Sequence, residues 1–259
     1  IGVKDVKSPS KKGIIMKVTV ITATLNSIKT IEDTFNSIIL QEGYIKEWII
    51  VDGGSSDGTL GFVRSVKSKC CFDIKVFERD PKGVYEAINY GISLGIGEIV
   101  AILHSDDYWR ADTLSQVIRD FENGWQLVYG RISEISQTGE YISTHGDSSY
   151  SKFKKFRLHN IHPSVFVSKS LYDNYGLFNV KYPINSDMDF LMRIVGKGVS
   201  IKFNEDIVVC YRKGGISSMR RPKIISIIEI CIRNKVGFHG LIYQLMRELY
   251  GRLRKWMYR

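Results

Sequence analysis

The sequence lacks the features that mark several large protein classes. Its four cysteines, Cys70, Cys71, Cys210 and Cys231, show neither metal-ligand spacing nor a disulfide framework. No apolar run reaches the roughly 18 residues of a membrane span, and residues 1–13 have no apolar core of the kind that a signal peptide needs. No G-x-G-x-x-G motif follows the first predicted strand, and G-x-x-x-x-G-K-[S/T] is absent, so dinucleotide binding and P-loop hydrolysis lose their usual support. The cysteine pattern favours a protein of the reducing cytoplasm.

The composition is that of a globular protein with an excess of positive charge. Of the 259 residues, 44% are hydrophobic and 25% are charged, which is ordinary for a folded domain. The 37 Lys and Arg residues outnumber the 27 Asp and Glu residues and leave a formal net charge of +10. Such an excess favours an anionic partner, whether a phosphate-bearing substrate, a nucleic acid or an acidic lipid surface.

Short apolar segments alternate with helical patterns in the first half of the chain. Strands are predicted at residues 17–22, 48–54, 73–78, 98–104 and 126–133, and helices at 30–41, 59–67, 84–95 and 111–122. Continuous apolar strands separated by helices indicate an α/β fold with a mostly parallel sheet covered on both faces. Beyond about residue 135 the pattern is irregular, with strands predicted at 162–168, 200–204 and 207–212 and a helix at 188–198.

The C-terminal segment, residues 221–259, has a pattern of its own. Residues 224–232 are almost wholly apolar, and residues 241–257 form an apolar stripe that basic side chains interrupt. A basic amphipathic helix of this kind is typical of a membrane interface. A helix packed on the domain with solvated arginines accounts for the same pattern, and both interpretations stay open. Residues 1–15 are predicted to be a flexible lead-in, which leaves 16–220 as the main domain.

Polar residues follow three of the predicted strands where each strand ends. They are the segment Thr22–Asn26, Asp52, and the segment His104–Asp107. In a doubly wound sheet, ligands bind beyond the carboxyl ends of the strands. The adjacent carboxylates of Asp106 and Asp107 repel each other unless a cation relieves them, and Mg²⁺ or Mn²⁺ would do so while bridging to a diphosphate. The alternative is that Asp107 or Asp112 only caps the next helix.

Four segments are informative in combination. They are VTVITATLNSIKTIEDTFNSIILQ, EWIIVDGGSSDGT, ERDPKGVYEAINYGISLGIGEIVAILHSDDYW and INSDMDFLMRI. Together they resemble the family 2 glycosyltransferases of the GT-A fold, and the likeness extends over residues 16–215. The resemblance implies a nucleotide-sugar-binding half at 16–110 and an acceptor-binding half at 111–220. It also implies transfer of a sugar, with inversion, from a nucleotide-diphosphate donor to an acceptor hydroxyl, with a UDP-sugar as the expected donor.

The resemblance assigns donor and metal contacts position by position. The residues matched to the donor site are Thr22, Thr24 and Asn26 in the first loop, Asp52 at the base, Asp80, Lys82 and Gly83 beside the donor, Asp106 near the ribose, and Arg212. Asp107 matches the main ligand of a Mn²⁺ or Mg²⁺ ion. His104 departs from the pattern, since many members have an acidic residue there, and this departure puts metal affinity in question.

The acceptor side of the site is matched by fewer residues. Asp187 stands where the family has the general base that deprotonates the acceptor hydroxyl, with Asp189 as the fallback; an ordinary first-turn residue favoured by the helix dipole is the alternative. His162 and His104 are candidates for contacts with the acceptor or the diphosphate. Segment 212–218 resembles a loop that closes over the donor, and a solvated basic loop is the alternative there.

The expected function is synthesis of a bacterial surface polysaccharide such as O-antigen or capsule. A lipid-linked saccharide acceptor at the inner face of the cytoplasmic membrane would account for the basic C-terminal segment and the net charge together. A catalytically degenerate partner subunit and a nucleotidyltransferase remain as alternatives. Segment 150–160 has the basic and aromatic residues of a nucleic-acid binder; an amphipathic helix is preferred for it, and no nucleic-acid partner is expected.

Overall fold

One mixed sheet forms the centre of the molecule. The computed structural model describes residues 16–80, 82–146, 162–195, 197–214 and 224–257. The strands are β1 Val18–Thr24, β2 Ile45–Asp52, β3 Asp73–Glu78, β4 Ile99–Ile102, β5 Tyr108–Trp109, β6 Leu127–Ile135, β7 Tyr141–His145, β8 Val165–Ser168 and β9 Ile201–Arg212. Within these ranges the nine strands have the order β3-β2-β1-β4-β8-β6-β9-β5, and β7 pairs with β6.

Eight helices in the described ranges cover this sheet. They are α1 Ile31–Ile39, α2 Thr59–Val66, α3 Val84–Leu94, α4 Thr113–Glu122, α5 Lys169–Tyr175, α6 Ser186–Ile194, α7 Ile224–Arg233 and α8 Phe238–Met257. Helices α1, α2 and α4 pack on one face of the sheet, and α3, α5 and α6 pack on the other. Of these helices, none is both long and apolar enough to cross a bilayer.

The first half of the sheet is parallel, as its sequence predicts. Strands β1, β2, β3 and β4 pair in parallel, because a helix lies between each of these strands and the next and returns the chain to the end of the sheet where the strands begin. The second half is mixed: β8 lies antiparallel between β4 and β6, while β6 and β9 pair in parallel. The carboxyl ends of β1, β2 and β4 therefore lie together at one edge.

The two strands predicted at 200–204 and 207–212 are one strand, β9. Its pairing with β6 shifts register between Tyr129 and Arg131, and Gly130 lies at that shift. A Cβ on Gly130 would come within 2.4 Å of the Ile207 carbonyl oxygen. The close approach of the two backbones requires a glycine here, and it lets β9 continue to Arg212.

The C-terminal segment is partly packed on the domain. Ile227, Ile230 and Cys231 of α7 are buried against Met188 and Met192 of α6. Leu241 of helix α8 packs against this cluster and Gln244 is buried, while an apolar stripe of the helix is exposed. The predicted lead-in at 1–15, the segment 150–160 and the predicted boundary at 220/221 lie outside the described residues.

Candidate functional site

Three loops meet at the carboxyl edge of the sheet. Thr24 at the end of β1 pairs with Asp52 at the end of β2, and the main-chain N–H of Leu103 donates to the Ile21 carbonyl at 3.0 Å. The segment His104–Asp107 leaves β4 at the same edge. The sequence-predicted residues of the first, second and fourth strands are thus brought together.

Thr22 is a buried tie between strands. Its Oγ1 donates to the Leu103 carbonyl at 2.7 Å and accepts from Nε1 of Trp48 at 2.8 Å. Its side chain is fully buried, whereas Oγ1 of its neighbour Thr24 is buried without a hydrogen-bond partner. Thr22 therefore fixes β1 against β2 and β4, and of the two threonines only Thr24 has an unused polar atom.

Asn26 and Asp52 join the first two loops. Asn26, whose φ is 51°, accepts from the Ser56 N–H at 2.9 Å, and its own N–H donates to Ser55 Oγ at 2.8 Å. Asp52 is fully buried, and its Oδ1 accepts from the N–H groups of Gly54 and Ser55 at 2.9 and 2.7 Å. This is the turn chemistry that an Asp before two glycines indicates.

Hydroxyl groups of α1 and the residues before it hold the segment His104–Asp107. Thr30 Oγ1 donates to the Ser105 carbonyl and Thr34 Oγ1 to the Asp107 carbonyl, each at 2.8 Å. The hydroxyls of Ser27 and Ser105 lie 2.7 Å apart. Sequence reasoning missed these residues. Their spacing of three and four places them on one helical face and is the signal that could have found them.

Asp107 is a buried carboxylate with one unused oxygen. Oδ1 accepts from the main-chain N–H of Arg212 at 3.0 Å, while Oδ2 is buried and has no hydrogen-bond partner. Burial raises the pKa of Asp107 well above its usual range, the charge of Asp106 raises it further, and the N–H and charge of Arg212 oppose the rise. A cation at Oδ2 would remove this penalty.

The residues present fit a cation that takes only part of its ligands from protein. Among the described residues, no group of three or more His, Cys, Asp or Glu side chains forms a metal cage. Mg²⁺ and Mn²⁺ commonly bind through one or two carboxylates and take their other ligands from phosphate oxygens and water. The unused Oδ2 of Asp107 beside Asp106 fits that donor set.

Asp187 reaches this region from the opposite face of the sheet. It lies in the first turn of α6, and Oδ1 accepts from the Tyr85 hydroxyl at 3.0 Å. Burial lowers the pKa of His104, and the charges of Asp106 and Asp187 both oppose that shift. His104 is therefore within electrostatic range of the metal side and the base side of the site.

Asp189, the fallback base, has structural partners. It is fully buried, its Oδ1 accepts from Asn234 at 3.0 Å, and its Oδ2 lies 3.2 Å from Nε of Arg193. These contacts tie α6 to Arg193 and to the residue that follows α7. Of the two aspartates in α6, Asp187 is the one directed toward His104.

Arg212 is enclosed by protein contacts. Its guanidinium donates to Asp33 at 2.6 Å, to the Gln137 carbonyl at 3.0 Å and to the Asp106 carbonyl at 3.2 Å. Only 5% of its surface is exposed, whereas Lys213 is exposed. Arg212 thus holds Asp106 and Asp107 in place through hydrogen bonds to the Asp106 carbonyl and to Oδ1 of Asp107. A direct contact between Arg212 and a donor stays a prediction.

The remaining predicted residues lie at the margin of the described site. Asp80 and Lys82 are exposed, and their segment begins at Arg79, whose N–H donates to the Asp52 carbonyl at 2.9 Å. Gly83, with a φ of 155°, precedes α3. The side chain of His162 and residues 215–218 of the predicted donor loop lie outside the described residues.

Comparisons with known proteins agree on the class of this chain. The model of the family described as Glycosyl transferase family 2 matches residues 19–175, more than half of the chain. A PGL/p-HBAD biosynthesis glycosyltransferase of Mycobacterium bovis is 27% identical over 205 residues, which are 77% of this chain and 78% of that protein. The glycosyltransferase Rv1514c of Mycobacterium tuberculosis is 26% identical over 221 residues, covering 80% and 79% of the two chains.

Solved structures show the same fold. The crystal structure of S. aureus TarS 1-349 in complex with UDP-GlcNAc superposes with a TM-score of 0.65 at 22% identity, over 85% of this chain and 66% of that one. The complex of the same protein with UDP gives a TM-score of 0.63 at 21% identity, over 84% and 65%. This chain therefore spans less than two thirds of the TarS chains it resembles, and the likeness confirms the predicted GT-A fold.

Proposed function

The chain belongs to glycosyl transferase family 2, and on that premise we propose that it transfers a sugar from a nucleotide-diphosphate donor to a hydroxyl group of an acceptor. The observation that carries the proposal is the unused, buried Oδ2 of Asp107 at the carboxyl edge of the sheet. A buried carboxylate oxygen without a hydrogen-bond partner is costly, and such groups occur most often at functional sites. A divalent cation bound between this oxygen and the donor diphosphate would supply the missing partner.

The donor would lie across the ends of β1, β2 and β4. A UDP-sugar is the donor we propose, supported by the fold that this chain shares with the TarS complexes with UDP and UDP-GlcNAc. Asp107, with Asp106 beside it, would hold Mn²⁺ or Mg²⁺. When bound, such an ion supplies positive charge to the diphosphate leaving group. The hydrogen bonds from Thr30 and Thr34 hold the backbone carbonyls of Ser105 and Asp107 in place before any donor binds.

Asp187 is the general base in this proposal. It accepts the proton of the acceptor hydroxyl while that oxygen forms a bond to the anomeric carbon and the bond from that carbon to the diphosphate oxygen breaks. The electron pair of the broken bond leaves with the nucleoside diphosphate. Attack from the side opposite the leaving group inverts the anomeric centre. The approach of Asp187 from the face of α6, away from α1, supports this arrangement.

Calorimetry with purified protein tests the donor and the base separately. We expect UDP to bind with micromolar affinity only when Mn²⁺ or Mg²⁺ is present. In Asp107→Asn, added metal should no longer raise the affinity for UDP. Asp187→Asn should bind UDP as the wild type does and lose release of UDP from UDP-sugars, by a factor of about 10²–10⁴ for loss of a general base. If none of UDP, GDP and dTDP binds in the presence of metal, the proposal of an enzyme is wrong and the alternative of a catalytically degenerate partner subunit takes its place.

We further propose that the acceptor is a lipid-linked saccharide and that α8 contacts an anionic membrane surface. Residues 221–259 contain nine Lys and Arg against two Glu, a net charge of +7 within a chain total of +10. Helix α8 exposes an apolar stripe in the same segment, formed by Phe238, Ile242, Met246, Leu249 and Leu253. Their spacing of three and four places them on one face. Exposed apolar side chains within a basic segment are the combination that anionic lipid favours.

Vesicle flotation tests this membrane contact. The full chain should bind vesicles that contain phosphatidylglycerol and bind pure phosphatidylcholine vesicles at least fivefold less. Met246→Glu should lower the bound fraction, whereas Leu40→Glu, at a residue of similar exposure after α1, should not. Equal binding to both vesicles would contradict the proposal, as would a dimer in light scattering that Met246→Glu dissociates.

A further inference from the structure

Helix α6 begins without a cap of its own. Its N-cap residue, Asn185, has a φ of 72° and makes no side-chain hydrogen bond to the first turn. The first N–H groups of a helix need acceptors. The phenolic oxygen of Tyr85 faces the N–H groups of Ser186 and Asp187, and its hydroxyl donates to Asp187 Oδ1 at 3.0 Å. A residue of α3 therefore contacts the first turn of the helix that carries the proposed base.

Tyr85 is itself held in place by α3 and its neighbours. Its ring packs against Phe178, with ring centres 5.4 Å apart, and Phe178 packs against Phe190 of α6 at 5.4 Å. One turn along α3, Asn89 donates to the Phe178 carbonyl at 2.8 Å and accepts from its N–H at 3.0 Å. The ring is buried. The hydroxyl of Tyr85 consequently has little freedom to leave Asp187.

We propose that Tyr85 is a positioning residue for the reaction: it fixes the rotamer of Asp187 so that the second carboxylate oxygen faces the acceptor hydroxyl. This inference rests on the proposed function, because a base needs positioning only if Asp187 acts as one. A carboxylate that accepts one hydrogen bond on Oδ1 keeps Oδ2 for proton transfer. Residues that orient a reacting group act through this kind of contact.

The variant Tyr85→Phe removes the hydroxyl and keeps the ring. With water as the acceptor, UDP release from UDP-sugars should fall about tenfold in kcat, with the KM for the donor changed less than twofold. The acid limb of the pH profile should move to higher pH, because the ionised carboxylate loses a donor. Tyr172→Phe is the matched control, since Tyr172 is equally buried and stacks on Phe190 of α6 at 4.6 Å. It should leave the acid limb in place.

His104 is a further titrating neighbour of Asp187. The charge of Asp187 acts on His104 as it does on Tyr85. His104 is present in both variants, so a difference between Tyr85→Phe and the control reports the lost hydroxyl. An acid limb and a kcat in Tyr85→Phe that match the wild type would overturn the proposal.

A second measurement separates this proposal from the proposed function. Burial, and then the charge of Asp187, raise the pKa of Tyr85 well above its usual value. In a titration followed by NMR of ¹³Cζ-labelled tyrosine, Asp187→Asn should therefore lower the pKa of Tyr85. If the wild type releases no UDP from any UDP-sugar while this coupling is present, the proposed function fails and the positioning role fails with it. If UDP is released and the coupling is absent, only the role of Tyr85 is overturned.

Discussion

Replacing Asp107 by Asn should stabilise the metal-free protein and abolish its response to metal. Asp107 is fully buried, and its carboxylate has the N–H of Arg212 as a partner on one oxygen only. A buried ion costs several kcal/mol, and a hydrogen bond to a charged group returns about 1.5–3 kcal/mol. Asparagine keeps the acceptor for Arg212 but leaves a buried N–H unpaired, at about 1–3 kcal/mol.

The free energy of unfolding of metal-free Asp107→Asn should therefore exceed that of the wild type by about 1–2 kcal/mol, which corresponds to a rise in Tm of about 3–6 °C. The pKa of Asp107 is raised in the folded state, so between pH 4 and the folded pKa the native state binds more protons than the unfolded state. The free energy of unfolding of the wild type should therefore fall as pH rises through this window. In Asp107→Asn, this decrease in the free energy of unfolding with rising pH should be absent.

Thermal unfolding followed by circular dichroism, at several pH values in EDTA and again with Mn²⁺ and UDP, measures these effects. The wild type should gain stability when metal and UDP are added together, because ligands that bind only the native state stabilise it. The variant should not gain. A variant less stable than the wild type in EDTA at pH 7.5, or equally stabilised by metal and UDP, would refute the account of Asp107 as a carboxylate in need of a cation.

Two further substitutions test the framework of the site. Thr22→Val should cost about 2–4 kcal/mol, since it leaves the buried Nε1 of Trp48 and the Leu103 carbonyl without partners; UDP affinity in calorimetry should change less than twofold, and a larger loss would indicate a direct donor contact. Gly130→Ala should cost about 3 kcal/mol in urea unfolding, because its Cβ would overlap the backbone of β9. Gly43→Ala, where a Cβ has no neighbour within 4 Å, should be neutral, and equal effects of the two alanines would contradict the close approach.

Local sequence patterns were sufficient for the parallel half of the fold. The apolar patterns of these strands and helices indicate which of their residues are buried. Strands β1 to β4 and helices α1 to α4 therefore lie where periodicity predicts them. Strand β8 was predicted at 162–168, but its antiparallel position between β4 and β6 was not. The short strands β5 and β7 and helix α5 were missed. Strand pairing between remote segments leaves no local periodicity to detect.

The candidate site shows the same difference between residues in local motifs and contacts between remote residues. The resemblance assigned site roles to Asp107 and Asp187 because each lies in a motif of its own. It could not identify the contacts that support them, such as the N–H of Arg212 on Asp107 or the hydroxyl of Tyr85 on Asp187, which join residues 105 and 102 positions apart. It also could not show that Thr22 faces the core, since a threonine near the end of a strand fits either environment.

The hydroxyls of Thr30 and Thr34, at the start of α1, bind the main chain of the segment between β4 and β5. Thr30 and Thr34 contact the carbonyl oxygens of Ser105 and Asp107, and every amino acid has that oxygen. These two hydrogen bonds are therefore independent of which side chain occupies position 104. A substitution of His104 can change the charge at this edge of the sheet and keep the contacts that hold the main chain of the loop.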